Sequence, residues 1–161
     1  TATDKDGYTA TRSWTVYYEK GDVTVTVSVE ATTVGLGYLI PPTQVTVPGG
    51  TDVMSIVLDL LEKNGYTHTG GSDYLASLAK PGINNGYHID SLGEFDYYRW
   101  SGWMFSYNGR YPGYSMSACK PQDGAVIRLR YTLALGKDIG GFSAALGSGY
   151  GQTSGNYYKE W

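Results

Sequence analysis

The sequence predicts an α+β domain in which a small mixed sheet carries one main amphipathic helix packed on one face. Three observations predict it. Val23, Val25, Val27 and Val29 alternate with Thr24, Thr26, Ser28 and Glu30, the period-two pattern of a half-buried strand built from β-branched residues. Val53, Ile56, Val57, Leu60 and Leu61 recur at i, i+3, i+4, i+7 and i+8, which gathers them into one apolar stripe along a helix. Trp103, Phe105 and Tyr107 alternate with Gly102, Met104 and Ser106 and lead into Asn108-Gly109, the dipeptide best suited to a tight hairpin.

Taken in order, residues 1–20 form a polar, Thr-rich N-terminal extension. Asp4-Lys5-Asp6-Gly7 matches the opening of a calcium loop, but Ala2 and Ser13 stand where acidic ligands are needed, so a turn is preferred. Trp14-Thr-Val-Tyr-Tyr18 offers a short extra strand. The domain itself spans residues 21–139. After the strand at 23–30, Gly35-Leu-Gly-Tyr-Leu-Ile-Pro-Pro42 reads as a connection, and Gln44-Val-Thr-Val47 resumes the alternation until Pro48-Gly-Gly50 stops it. Thr51 is the expected helix N-cap, with Asp52 in the first turn where exposed N–H groups attract negative charge, and Asn64-Gly65 ends the helix.

Residues 66–96 read mostly as loop: Tyr74-Leu-Ala-Ser-Leu-Ala79 fits a helical turn, Pro81-Gly82 breaks it, and Asn84-Asn-Gly86 is a further turn. At Asn108-Gly109 the chain should reverse and pair residues 103–107 with a partner starting near Tyr111. Gln122-Asp-Gly124 turns into a last strand with Ala125, Ile127, Leu129 and Tyr131 on a greasy face and Val126, Arg128 and Arg130 on a wet one. Residues 140–161 form a Gly- and Ser-rich tail or linker. The order of these elements is that of a β-grasp arrangement. A β-sandwich is the alternative, disfavoured because a well-capped amphipathic helix has no natural place in one. The helix stripe, at ~1.5–3 kcal/mol for each large apolar side chain fully buried, makes helix-on-sheet docking the dominant stabilising event.

With 161 residues and 41% hydrophobic content, one core is the default. A net charge of −3 with only 12 Lys plus Arg supplies no footprint for nucleic acid. No apolar run reaches the ~18–20 residues that span a bilayer. Cys119 is the sole cysteine, so no internal disulfide forms, and it reads as a small buried apolar residue. Charged residues make up 17% while Tyr alone occurs 16 times, which shifts the surface from charge toward flat rings with one hydrogen-bonding tip.

That excess bears on binding. Trp103, Phe105 and Tyr107 share one strand face and belong in the core against the helix. Tyr97, Tyr98 and Trp100 precede the hairpin strand while Tyr111 and Tyr114 follow its turn, and together they are the candidate ligand-binding platform. Arg99 and Arg110 could add a cation stacked on those rings. His68 and His88 lack metal-motif spacing. Asp90, Glu94 and Asp96 cluster beside the aromatics, as a glycosidase would need, but acidic residues in such loops commonly cap turns, and no feature pushes one of their pKa values up. Pro48-Gly-Gly-Thr51 lacks the Lys and spacing of a phosphate loop, and there is no nucleophile elbow. The expectation is a binding module, not an enzyme.

Residues 23–30, Gly35-Leu-Gly-Tyr-Leu-Ile-Pro-Pro42, the strand and helix at 45–61, Tyr74-Leu-Ala-Ser77, Gly93-Glu-Phe-Asp96, Ser101-Gly-Trp-Met-Phe-Ser-Tyr-Asn-Gly109, Asp123-Gly124 and Leu135-Gly-Lys-Asp138 together resemble an uncharacterised bacterial domain family. That family is similar to the C-terminal β-domain of transcobalamin and intrinsic factor, the animal vitamin B12 carriers, and the match covers roughly residues 20–140. The resemblance implies a β-grasp fold in a secreted or cell-surface bacterial protein, often as one module among several domains. It assigns no cofactor and no contact residue. Cobalamin is the ligand it suggests by analogy, although in the carriers the corrinoid sits against a large helical barrel that this chain does not contain. A glycan- or protein-binding adhesion module and a structural spacer are the alternatives.

Overall fold

The computed structural model describes residues 3–4, 7–8, 21–83, 90–141 and 158–159. The strand expected at 14–18, the turn at 84–86 and His88 lie outside them. Near the N-terminus β1 (Thr3–Asp4) pairs antiparallel with β2 (Gly7–Tyr8), and residues 5–6 of the expected turn lie outside the described ones.

The valine alternation forms β3 (Asp22–Ala31), which pairs antiparallel with β4 (Gly37–Pro48). β4 takes in residues 37–42 of the stretch 35–42 expected to be a connection, leaving Gly35 and Leu36 in the turn. Pro41 and Pro42 lack an N–H to donate, but β4 lies at the sheet edge, where a missing donor costs little, and the register shifts beside them, between Val27 and Val29. Helix α1 (Val53–Lys63) follows, with Val53, Met54, Ile56, Val57, Leu60 and Leu61 all buried. Its N-cap is Asp52 rather than Thr51: the Asp52 carboxylate accepts from Ser55 N (2.9 Å) and Ser55 Oγ (2.7 Å), while the Thr51 hydroxyl donates to Pro48 O (2.7 Å). At the other end Gly65 takes φ 83°, and Tyr66 N–H donates to Leu61 O while Gly65 N–H donates to Glu62 O, the paired bonds of a Schellman stop.

The stretch expected to be loop is a second sheet of β5 (Thr67–Gly70), β6 (Leu75–Ala79) and β7 (Ser91–Gly93), in that order. Leu75 and Leu78 are both buried, and their three-residue spacing is what made the segment look helical. A register shift explains it: Thr69 faces Ser77 while Gly70 faces Leu75, so Ala76 is an extra, bulged residue that lets both leucines point inward.

The main sheet runs on through β8 (Gly102–Tyr107), β9 (Arg110–Tyr111) and β10 (Val126–Thr132), with β11 (Tyr158–Lys159) from the tail at its far edge. Its order is β11-β9-β8-β10-β3-β4, parallel between β10 and β3 and antiparallel elsewhere. Asn108 and Gly109 make the hairpin with φ of 52° and 82°, as expected, though the returning strand begins at Arg110. Two residues of the tail thus join the sheet, and residues 142–157 fall outside the described part.

Trp103 and Phe105 enter the same core as Ile127, Leu129, Val27 and the helix stripe. Trp103 Nε1–H donates to Leu92 O (3.0 Å) and Tyr131 Oη–H to Gly93 O (2.6 Å), which fastens the second sheet to the first; burial pushes the Tyr131 phenol up to about 12. The opposite face of β10 and β3 is not the wet one that the alternation predicts. Arg128 Nε and Nη2 fork onto Glu30 Oε2 and Oε1, both at 2.7 Å, Ser28 Oγ–H donates to Glu30, and Arg130 Nη1–H donates to Tyr111 Oη (2.9 Å). Glu30 is 2% exposed and Arg130 7%, so alternation correctly separates the faces but does not reveal that the polar one is also covered.

Candidate functional site

Where β8 begins, the chain leaves a cleft of about 420 Å³, a size at which small-molecule sites occur. Its floor is β8, and its rims are the segments before β6, between β7 and β8, and after β9.

The rim between β7 and β8 is shaped by side-chain and backbone hydrogen bonds to the main chain. Asp96 Oδ2 accepts from Gly93 N (2.7 Å), Glu94 N–H donates to Ala76 O (2.9 Å) and Phe95 N–H to Ser101 O (3.0 Å). The buried Ser101 hydroxyl donates to Tyr98 O (2.8 Å) and lies 3.3 Å from the Tyr97 and Tyr98 N–H groups. This turn forces Phe95 to φ 69°, a left-handed conformation uncommon for a bulky residue, and leaves its ring 66% exposed. Leu135, also in the cleft wall, has φ 55°, and its N–H donates to Trp100 O (2.9 Å), tying the loop after β10 to the rim.

Around this opening stand Tyr74 at 47% exposure, Trp100 at 50% and Tyr114 at 44%, in addition to Phe95. The Tyr74 hydroxyl lies over β8 at Gly102, where a Cβ would come within 2.7 Å of it; a side chain there would push the ring away. Burial of that hydroxyl end, then the nearby Glu94 carboxylate, raises the Tyr74 phenol's pKa. The Arg99 guanidinium lies 4.9 Å from the centre of the Trp100 ring.

Of the five aromatics singled out from the sequence, Trp100 and Tyr114 converge in the cleft wall. Tyr98 is exposed outside it, and Tyr97 packs edge-on against Tyr131 at 6.1 Å. Tyr111 is 0% exposed, on the polar face of the sheet with its hydroxyl bonded to Arg130, so it cannot share the rim. Tyr74 and Phe95 were missed. Tyr74 heads a segment that looked helical, and the placement of Phe95 depends on hydrogen bonds of the Asp96 and Ser101 side chains that no periodicity reveals. Both stand in the motifs that carry the resemblance, the one signal that could have drawn attention to them.

The three acidic residues differ. Asp90 Oδ1 accepts from Gly82 N (3.0 Å) and Asp96 caps the turn at Gly93, so both serve loop geometry as expected. Glu94 lines the cleft. Cys119 is buried, with its thiol pushed up by burial. His68 is exposed and pairs with Gly70 O (3.2 Å). Among the described residues no group of His, Cys, Asp and Glu could hold a metal ion, and no helix is long and apolar enough to cross a membrane.

No family model and no curated protein matches the chain. Among the solved structures that resemble it are these two. One is haptocorrin in complex with Cbi, at 14% identity and a TM-score of 0.49, covering 81% of this chain and 27% of that one. The other is a candidate metal-binding protein from Ruminococcus gnavus, at 14% identity and a TM-score of 0.40, covering 68% of this chain and 96% of that one. The chain thus spans about a quarter of haptocorrin, to which its similarity is distant.

Proposed function

We propose that the chain is a non-enzymatic ligand-binding module on a β-grasp fold, part of a secreted or cell-surface bacterial protein, and that the cleft at the start of β8 is its binding site. The observation that carries this is the ring of Tyr74, Phe95, Trp100 and Tyr114 around an apolar opening, with Phe95 and Leu135 held there in left-handed backbone. An exposed ring on left-handed backbone, as at Phe95, contributes little to folding, whereas a site for a flat apolar body needs such rings. The β-grasp reading is supported by the hairpin of β3 and β4, the helix after it, and the parallel placement of β10 beside β3. The wider setting rests on the sequence resemblance alone.

The same resemblance makes a corrinoid the first ligand to test. A corrin macrocycle exceeds 420 Å³, so this chain would cover one side of it and leave the rest to another domain. The size of the cleft favours a second reading, a single sugar ring stacked on Trp100 or Tyr114 as in an adhesion module. Titrating cobinamide and a glycan panel against tryptophan fluorescence, with Trp100→Ala as control, separates these. Saturable quenching lost in the Trp100→Ala protein is expected. Silence from every ligand at concentrations on the order of 1 mM, where even weak sites fill, would remove the binding reading.

A further inference from the structure

Beyond the shape of the ligand, the cleft specifies its charge. We propose that the site takes a ligand carrying a positively charged nitrogen, an alkyl- or arylammonium group, which faces Glu94 while its apolar body lies on Trp100 and Tyr114. The inference rests on the reading of the cleft as a ligand site.

Three observations carry it. The first is the division of labour among the acidic residues: Asp90 and Asp96 are occupied by the backbone N–H groups they cap, and Asp73, also in the wall, accepts from Ser117 Oγ (3.1 Å). Glu94 lines the wall and is partly buried as a residue, and among the described residues its carboxylate receives no hydrogen bond and forms no ion pair. A carboxylate in a cleft wall with its acceptor sites open can take a charge-assisted hydrogen bond from an incoming N–H group. The second is the ring population. The negative faces of aromatic rings attract cations, and such rings beside a carboxylate make a site for an ammonium ion. The third is Arg99, whose guanidinium already sits over Trp100 at 4.9 Å, an internal cation drawn to this wall. Being exposed and on a flexible stem, it can swing aside for a ligand.

Three probes of matched shape test this on the whole chain: benzylammonium, benzyl alcohol and benzoate, each titrated against tryptophan fluorescence and by calorimetry. Benzylammonium is expected to bind about 10-fold or more tighter than benzoate, since a charge-assisted hydrogen bond is gained in one case and a repulsion in the other. Glu94→Gln should weaken benzylammonium by about 10-fold and benzyl alcohol far less. The charge series on the unaltered protein stands even if that variant fails to fold. An Nα-acetyl-lysine amide arm then distinguishes a lysine side chain from a free amine, because only the former ligand retains affinity when the ammonium is carried on a peptide stem. Equal binding of all three probes, or an equal loss for all in Glu94→Gln, would overturn the charge assignment while leaving the binding site standing. If no probe binds but cobinamide or a glycan does, the charge assignment falls alone; if nothing binds at all, both fall.

Discussion

The half of the sheet under helix α1 and the half that borders the cleft are built from the same strands by opposite rules. Under the helix, Val25, Val27, Val29 and Ile127 are completely buried, and every non-glycine residue with positive φ lies elsewhere. Beside the cleft, Phe95 and Leu135 are held in left-handed backbone, and Tyr74, Phe95, Trp100 and Tyr114 keep a large share of their surface in water. The first region gains stability from each residue it orders. The second gives some up, in line with the binding role proposed for the cleft. Substitutions in the two regions should therefore differ in sign as well as in size.

The largest effect is expected under the helix. Ile127→Ala removes a fully buried side chain between α1 and the sheet, and about 3–4 kcal/mol of unfolding free energy should go with it, through lost burial and the cavity left behind. Urea denaturation measures this. A loss under about 1 kcal/mol would mean that the core collapses around the gap, contrary to a rigid core around a fully buried Ile127.

A smaller effect is expected on the covered polar face of the same strands. Burial pushes the Glu30 carboxyl up, but hydrogen bonds from Arg128 and Ser28 and the charges of Arg128 and Arg130 outweigh it, so its pKa ends below the usual value. A carboxyl depressed in the folded state stabilises the protein above its unfolded pKa, and that contribution is lost as pH falls through the folded pKa. Stability should accordingly decline as the solution is acidified below pH ~4.5, and in Glu30→Gln that part of the decline should vanish. At neutral pH Glu30→Gln should cost about 2–3 kcal/mol, below the full penalty for a broken buried pair because Arg128 remains 29% exposed and can rehydrate. Denaturation midpoints between pH 3 and 7 (a range of about 4 units spanning carboxyl titration) test both statements, and parallel acid profiles for the two proteins would contradict the first.

The contrast also marks what could be read from the sequence. Under the helix the apolar periods are unbroken, 2 in β3 and β10 and 3.6 in α1, so the strands, the helix, the Asn108-Gly109 turn and the core roles of Trp103 and Phe105 were legible. The mixed sheet with one helix on a face followed from them. Around the cleft, geometry is set by exceptions to period. Ala76 bulges and gives β6 a helix-like spacing; Asp96 and Ser101 fold the rim with side-chain bonds; Gly102 is small so that Tyr74 can cross over it. No pattern over neighbouring residues encodes such contacts. Trp100 and Tyr114 could be picked out as aromatics near a hairpin, but composition could not tell them from Tyr111, which the pairing of Arg110 with Tyr107 turns to the covered face.

The smallest and most discriminating effect is expected at Phe95. Its ring contributes little burial, being 66% exposed, while φ 69° costs a bulky residue about 1–2 kcal/mol. Glycine removes that cost and adds about 0.5–1 kcal/mol of chain entropy to be lost on folding, so Phe95→Gly should stabilise the protein by about 0.5 kcal/mol. The same change deletes one of the rings at the opening and should weaken whatever ligand the cleft holds. A variant that gains stability and loses affinity would be the signature of a residue kept for binding against its folding cost. If Phe95→Gly instead lowers the urea midpoint, the ring is a packing element after all, and the division between the two halves of the sheet does not extend to this turn.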